Sequence, residues 1–181
     1  MYFEKVSFEQ YKKSIGGDIT EEELKSEYDD IKLPKRATKW SAGYDFFAPF
    51  DIDLAPEESI AVPTGIRWKC SHELEVMSFA KPTFVLKVYP RSGLGFKHFV
   101  GLANTVGIID EDYYQSENEG HIFVKLVNNG SENVTINKGQ GFAQGIIVNF
   151  WVCDDDTGFI DGEQRNGGMG STDKKTETEE E

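Results

Sequence analysis

The chain has 181 residues and a formal net charge of −13, with 32 acidic and 19 basic side chains. This length fits one domain with a substantial core, and the acidic surplus argues against a protein that binds duplex nucleic acid through a cationic surface. No apolar run approaches a membrane span, the first residues lack the apolar core of a signal peptide, and two cysteines are too few for a disulfide framework or a zinc site. We therefore expect a reduced, cytoplasmic protein that binds neither nucleic acid nor a membrane.

The N-terminal residues 1–33 are predicted to form a short extension, one strand and one helix, packed on the main domain. Phe3–Phe8 is the expected edge strand. Thr20 has the position of a helix cap, and Glu23 that of its partner in a capping box. The helix is expected to end at residues 28–30.

Residues 34–162 have the pattern of a β domain. Short runs of β-branched and aromatic residues alternate with turns of Gly, Pro, Asn and Asp, which favours a sandwich, jelly roll or barrel. The predicted strands that share this pattern are Tyr44–Ala48, Ser59–Pro63, Gly65–Lys69, Leu74–Ala80, Val85–Tyr89, His98–Ala103, His121–Asn128, Asn133–Ile136 and Ala143–Val152.

The C-terminal end divides into a Gly-rich segment, residues 163–172, and an acidic tail, residues 173–181. The tail has almost no apolar side chain and is expected to be disordered. The Gly-rich segment lacks the lysine and the flanking elements of a phosphate loop, which leaves a flexible linker or a lid. As a lid it would carry Arg165 to a ligand and lay Met169 on a flat ring.

The stretch Gly107–Tyr113 joins small and apolar residues to two carboxylates and a tyrosine, a pattern that predicts a strand ending in a tight hairpin. Side chains alternate along a strand, so Asp110 and Asp112 are expected on one face. There they would hold a water beside an aromatic ring that stacks on a ligand. A solvated turn is the alternative, because Asp is common in turns.

A second candidate segment is Arg91-Ser92-Gly93, which follows a predicted strand and a proline. The guanidinium, the hydroxyl and the backbone N–H groups would converge on phosphate oxygens, although a surface turn has the same composition. Serine catalysis is not favoured, since no histidine lies in a recognisable nucleophile pattern. Gln144, after a later turn, is a candidate to orient a water or a phosphate.

Taken together, five short segments in order resemble the motifs of the trimeric dUTP diphosphatase (dUTPase) family: Ala42–Ala48, Pro90–Leu94, Asn104–Tyr113, Gly139–Gln144 and Arg165–Thr172. The resemblance implies an all-β, distorted jelly-roll, barrel-like domain with the short N-terminal extension and a flexible Gly-rich C-terminal arm. It implies a homotrimer with active sites at subunit interfaces. The implied reaction is hydrolysis of dUTP to dUMP and pyrophosphate, with Mg²⁺ held by the substrate phosphates and water.

The resemblance also implies roles by position. Asp110 is the expected general base for the attacking water. Asp45, Asp112 and Gln164 are expected to support the site. The residues expected to bind substrate are Arg91, Ser92, Gly93, Asn104, Gly107, Ile108, Ile109, Tyr113, Gln144, Arg165, Met169, Gly170 and Ser171.

Within this set, Tyr113 is expected to stack on the deoxyribose and exclude a 2′-hydroxyl. Asn104 and the backbone near Gly107 and Ile108 are expected to read the uracil edge. Arg165 is expected to grip the γ-phosphate, and Met169 to cover the base.

The chain departs from the family pattern at three places. The tip after Tyr113 is longer, Gln140-Gly141 stands where Asp-Arg is usual, and the spacing of the fifth motif leaves open whether Arg165 or Gln164 contacts phosphate. Two other functions fit the fold class. A dCTP deaminase would need a glutamate-bearing segment that the chain does not show. A regulator with little turnover is argued against by the retained Asp110, Tyr113 and Arg91.

Overall fold

The computed structural model describes residues 1–70 and 83–153. Within these ranges the helices are α1 (Phe8–Ser14), α2 (Glu21–Asp30), α3 (Ser92–His98) and a 3₁₀ helix (Glu111–Gln115). The strands are β1 (Tyr2–Lys5), β2 (Lys35–Arg36), β3 (Tyr44–Phe47), β4 (Ile52–Leu54), β5 (Ser59–Pro63), β6 (Ile66–Lys69), β7 (Thr83–Pro90), β8 (Val100–Leu102), β9 (Gly107–Ile109), β10 (Phe123–Asn128), β11 (Val134–Ile136) and β12 (Gly141–Phe150).

The described strands form four sheets, and every pairing is antiparallel. The largest has the order β2-β3-β12-β7-β9, and the others are β5-β10-β8, β4-β11 and β1-β6. The mostly-β prediction is confirmed, although the described strands do not close into one barrel. None of the described helices has the length and apolar character that a membrane span requires.

One continuous core lies between the sheets and the N-terminal helices. Trp68, Phe46 and Phe142 are among its largest side chains, each at most 1% exposed. Tyr11 of α1 belongs to the same cluster and is fully buried. Full burial of a large apolar side chain contributes about 1.5–3 kcal/mol, so α1 is an integral part of the core.

The N-terminal segment differs in part from its prediction. The capping box at Thr20 and Glu23 is present, and α2 ends at Asp30 as expected. The predicted strand Phe3–Phe8 is wrong in its second half, because Phe8 begins α1. The physical reason is Ser7, whose hydroxyl accepts a hydrogen bond from the Gln10 N–H and so caps a helix there.

The predicted strands of the main domain lie close to the observed ones, and Ser59–Pro63 coincides with β5. Leu74–Ala80 lies outside the described residues. The short strands β2 and β4 were not predicted. The predicted strand His98–Ala103 is shortened, since His98 ends α3 and Phe99 has a left-handed φ of 55° before β8 begins.

Candidate active site

A cleft of about 610 Å³ lies where β3, β12 and the start of α3 meet. The turn after β7 brings Arg91 to this place, because Ala143 and Gln144 of β12 pair with Pro90 and Tyr89 of β7. The predicted site residues that line the cleft are Asp45, Arg91, Ser92, Gly93 and Gln144. Residues of the first, second and fourth sequence motifs are therefore brought together.

An acid–base pair and an amide define the polar wall of the cleft. The Arg91 Nε atom lies 3.5 Å from Oδ1 of Asp45, whose side chain is 13% exposed against 41% for Arg91. Gln144 pairs with Asp45 across β12 and β3, and its Nε2 donates to the Pro90 carbonyl at 3.2 Å. Asp45 thus holds the inner nitrogen of the Arg91 guanidinium, and the outer nitrogens stay accessible to an anion.

Two glycines make room for these side chains. A Cβ at Gly141 would lie 2.5 Å from Nη1 of Arg91, and a Cβ at Gly43 would lie 2.7 Å from Oε1 of Gln144. Gly141 stands where the family pattern has a larger residue, and its lack of a side chain lets the Arg91 guanidinium lie across β12. Neither glycine was among the site residues predicted from the sequence.

Two further basic residues of the cleft were also missed. Lys97 and His98 lie in the last turn of α3 and line the cleft together with Arg91. The sequence predicted a turn at Arg91-Ser92-Gly93 and a strand beginning at His98, so neither Lys97 nor His98 was linked to the site. Ser92 instead begins a helix with Arg91 at its N-cap position, and the last turn of this helix places residues 97 and 98 on the wall of the same cleft.

The third motif lies at a different edge of the large sheet. Ile109 of β9 pairs with Leu86 of β7, and the chain then runs away from the Arg91 end of β7. From Leu86 to Arg91 the strand advances roughly 17 Å at about 3.3 Å per residue. A single chain therefore does not bring Asp110 to its own Arg91.

The structure corrects the predicted hairpin after Ile109. Asp110 occupies the N-cap position of the 3₁₀ helix Glu111–Gln115, which contains Asp112 and Tyr113. A 3₁₀ helix has three residues per turn, so Asp110 and Asp112 do not share the common face that strand alternation predicted. Both carboxyl groups are exposed.

The Tyr113 side chain is 6% exposed, and its hydroxyl is held by two hydrogen bonds. It donates to the His121 carbonyl at 2.8 Å and accepts from Asn118 Nδ2 at 2.7 Å. The ring orientation is thereby fixed from the longer tip that follows the third motif.

The remaining candidates of the third motif are accessible. β9 is the last strand of its sheet in the described residues, so one row of its backbone N–H and C=O groups faces away from β7. Ile108 is 52% exposed, Ile109 and Gly107 are half-buried, and Asn104 is exposed. The candidates of the fifth motif lie outside the described residues: Gln164, Arg165, Met169, Gly170 and Ser171.

Two buried groups near the third motif have shifted pKa values. Burial lowers the pKa of His121 from 6.5 to about 4, with the carboxylate of Glu119 opposing the shift. Burial, and then the neighbouring Glu111, raise the pKa of the Cys70 thiol to about 11. Cys70 is therefore a thiol at neutral pH, and it is not an activated nucleophile.

Metal-ligating side chains are sparse around the cleft. In residues 1–70 and 83–153, no three His, Cys, Asp or Glu side chains lie close enough to hold a metal ion. Asp45 contributes one carboxylate, the ligand type that Mg²⁺ prefers. A single carboxylate fits a magnesium ion whose direct ligands are phosphate oxygens and water, with Asp45 contacting it through that water.

Comparisons with known proteins agree with the motif pattern. The dUTPase family model matches residues 29–173. The deoxyuridine 5'-triphosphate nucleotidohydrolase of Lactococcus lactis subsp. lactis (strain IL1403) is 39% identical over 143 residues, covering 78% of this chain and 88% of the relative.

Two solved structures share the architecture. The dUTPase of Streptococcus mutans superposes with a TM-score of 0.60 at 29% identity, over 85% of this chain and 99% of that one. A mutant dUTPase of phage phi11 of S. aureus, described with a structural Mg(II) ion, has a TM-score of 0.54 at 22% identity over 68% and 86% of the two chains, and shows the fold alone. Because the family model matches most of the chain, residues 29–173, the chain belongs to the dUTPase family.

Proposed function

We propose that the protein hydrolyses dUTP to dUMP and pyrophosphate. The observation that carries this proposal is the meeting of Asp45, Arg91 and Gln144, from three separate motifs, in one cleft. Family membership supports the same reaction. In it, water attacks the α-phosphorus, a proton passes to Asp110, and the bond to the bridging oxygen breaks to release pyrophosphate.

The cleft at Arg91 is the proposed phosphate site. Arg91 presents a fork of N–H donors that matches phosphate oxygens, and Ser92 and Gly93 lie beside it. Lys97 adds positive charge on the same wall. In an acidic protein this local group of cations neutralises the triphosphate and holds it in line for attack.

The edge strand β9 is the proposed base site. Uracil offers a ring N–H donor between two carbonyl acceptors, and an exposed strand edge offers the complementary N–H and C=O groups. The backbone of Gly107 and Ile108, with Asn104, reads this edge, while Ile109 supports the strand from its partly buried side. Tyr113 packs on the deoxyribose, and Asp112 supports Asp110.

The two half-sites belong to different copies of the chain. The phosphates of one nucleotide are direct neighbours. In a single chain, Asp110 and Arg91 are much farther apart, because a long part of β7 separates them. This separation supports a homotrimer in which Asp110 of one subunit faces Arg91 of the next. Closed cyclic symmetry then gives three equal sites.

Magnesium is the proposed cofactor, and it supplies charge neutralisation and orientation of the triphosphate when bound. Asp45 would hold it through water, while the phosphates provide the direct ligands. From the fifth motif, either Arg165 or Gln164 contacts the γ-phosphate, and Met169, Gly170 and Ser171 cover the nucleotide. The proposed location is the cytoplasm, where nucleotide triphosphates are available.

A nucleotide panel tests the proposal. Purified protein with Mg²⁺ is incubated with dUTP, dCTP, dTTP and UTP, and both pyrophosphate and ammonia are measured. Pyrophosphate from dUTP at a much higher rate than from the other three is the expected result. Ammonia from dCTP would assign a deaminase instead, and binding of dUTP with no product would assign a regulator.

A further inference from the structure

The N-terminal segment, residues 1–28, lies outside the matched family model, yet it contacts the loop that follows the proposed catalytic motif. We define this loop, residues 114–121, as the tip loop. Each of three side chains of the segment, Glu4, Ser7 and Ser14, makes a polar contact with the tip loop. These contacts span more than a hundred residues of sequence, so they tie two distant parts of the chain together.

The central contact joins Ser7 to Glu119. The Ser7 hydroxyl donates to Oε1 of Glu119 at 2.6 Å, and the Ser7 backbone N–H donates to Oε2 at 2.7 Å. Both carboxylate oxygens are used, which restrains the side chain in orientation as well as position. Burial would raise the pKa of Glu119, but the hydrogen bonds from Ser7 outweigh it and the pKa is lowered.

A second contact lies at the start of the tip loop. The Tyr114 hydroxyl donates to Oε1 of Glu4 at 2.5 Å, and the Arg67 guanidinium stacks over the Tyr114 ring at 4.5 Å. The Arg67 Nε also lies 2.8 Å from Glu4, with which it pairs across β1 and β6. The stacked arginine and the strand pairing fix the position of Glu4.

A third contact closes the loop at its end. Nε2 of His121 accepts from the Gly65 N–H at 2.8 Å, which requires an unprotonated Nε2 and therefore a proton on Nδ1. Nδ1 then donates to the Ser14 hydroxyl at 3.1 Å. The loop is thus held at residues 114, 119 and 121.

The turn at residues 116–120 links these contacts to Tyr113, the proposed sugar-binding residue. Glu119 and Gly120 both have positive φ, 59° and 69°, and the Glu119 N–H bonds the Ser116 carbonyl at 2.8 Å. Within this turn Asn118 donates to the Tyr113 hydroxyl. Displacing Glu119 therefore displaces the group that orients Tyr113.

We infer that Ser7 and Glu119 are positioning residues: their contact clamps the tip loop so that Tyr113 is held in the orientation that distinguishes a deoxyribose from a ribose. This role rests on the proposed function. It gives the N-terminal extension a part in substrate selection, because a small misplacement of a group that contacts the substrate costs a large factor in rate.

The experiment compares Ser7→Ala, Glu119→Gln and the double variant with Ser7→Thr and Lys12→Ala. Thr keeps the hydroxyl and the helix cap, and Lys12 forms an ion pair with Glu21 inside the same segment, away from the tip loop. The ratio of kcat/KM for dUTP to that for UTP is measured below the melting temperature of each variant. Hydrogen exchange of amides 113–121 is measured in parallel.

The clamp predicts that Ser7→Ala and Glu119→Gln each lower the dUTP-to-UTP ratio by about tenfold. The double variant should fall no further, because both changes remove the same contact. Ser7→Thr and Lys12→Ala should keep the wild-type ratio. A lower melting temperature with an unchanged ratio would show a purely structural contact and overturn the inference.

The exchange data separate this inference from the proposed function. If wild-type protein releases no pyrophosphate from dUTP, the proposed function fails. Faster exchange at residues 113–121 in Ser7→Ala, but not in Lys12→Ala, would still support a clamp on the loop. Equal exchange in all variants would refute the clamp, whatever the activity.

Discussion

The Asp45 carboxylate lies 3.5 Å from Nε of Arg91, although one residue is on β3 and the other follows β7. The strand β12 lies between β3 and β7 and pairs with both. Asp45 contacts the inner nitrogen of the guanidinium, so the terminal nitrogens remain available to a ligand. The pair is therefore a means of directing Arg91 into the cleft, and this interpretation can be tested by substitution.

Arg91→Lys is expected to lower kcat/KM for dUTP by about a hundredfold, the order of effect seen when one preorganised donor to a transition-state anion is lost. Lysine keeps the charge but lacks the planar fork that contacts Asp45 and phosphate together. Steady-state pyrophosphate release measures the effect. Arg36→Lys, at an exposed position on β2, is the matched control and should retain full activity.

Gly141→Ala is expected to raise KM and lower turnover while the protein stays folded. The new methyl group would lie 2.5 Å from Nη1 of Arg91, the end of a flexible side chain that is free to move away from the cleft. Gly16→Ala is the control, because nothing lies within 4 Å of a Cβ there. If Gly141→Ala has wild-type kinetics and an unchanged melting temperature, Arg91 does not need its observed position.

Mixing two variants of very low activity tests whether the site is shared between subunits. Asp110→Asn should bind dUTP but turn it over far more slowly, because an amide does not accept the proton of the attacking water. Asp110→Asn and Arg91→Lys chains, unfolded and refolded together in equal amounts, should regain about a quarter of wild-type activity. Each site then draws the two residues independently from two subunits.

The same mixture distinguishes the alternatives. A site built within one chain would remain inactive after mixing, since every chain carries one defective residue. Light scattering of the wild-type protein should give the mass of a trimer. A mass near 20.4 kDa, that of one chain, would contradict the shared site.

The unfolding free energy is expected to fall as the pH is lowered from 7 to 5. His121 has a pKa of about 4 in the folded protein against 6.5 ordinarily, so the unfolded chain binds more protons in this range and acid favours it. The loss is about 2 kcal/mol for this one group. Denaturant titrations at several pH values measure it.

His121→Gln provides the comparison for that experiment. Glutamine does not titrate, so the fall in unfolding free energy between pH 7 and 5 should be smaller by about the same 2 kcal/mol. Among the described residues, the Glu119 carboxylate acts on His121. Its own pKa is lowered, so it loses its contribution to stability only at more acid pH. If the wild-type protein and His121→Gln lose the same unfolding free energy between pH 7 and 5, His121 is not the responsible group.

Local signals in the chain were sufficient for several elements. The capping box at Thr20 and Glu23 and the strand Ser59–Pro63 depend on residues close in sequence, and both were predicted correctly. The motifs around Arg91 and Gln144 also contained residues that line the cleft, because a guanidinium beside small residues is a local pattern that suits phosphate. α3 was missed, since glycine-rich segments such as Ser92–His98 have low helix propensity and depend on packing against the rest of the fold.

The amino-acid pattern alone was enough to establish a β-rich chain, the order of its five motifs and the chemical types in its site, because alternation, turn residues and side-chain chemistry are read locally. The tertiary structure decided which residues distant in sequence lie close together. Antiparallel pairing of β12 with both β3 and β7 joined Asp45 to Arg91, while the register of β9 on β7 kept Asp110 apart from them. The contact between Ser7 and Glu119 also joins residues that are far apart in sequence. Contacts of this kind depend on strand register and chain reversal, which are set by the packed core as a whole.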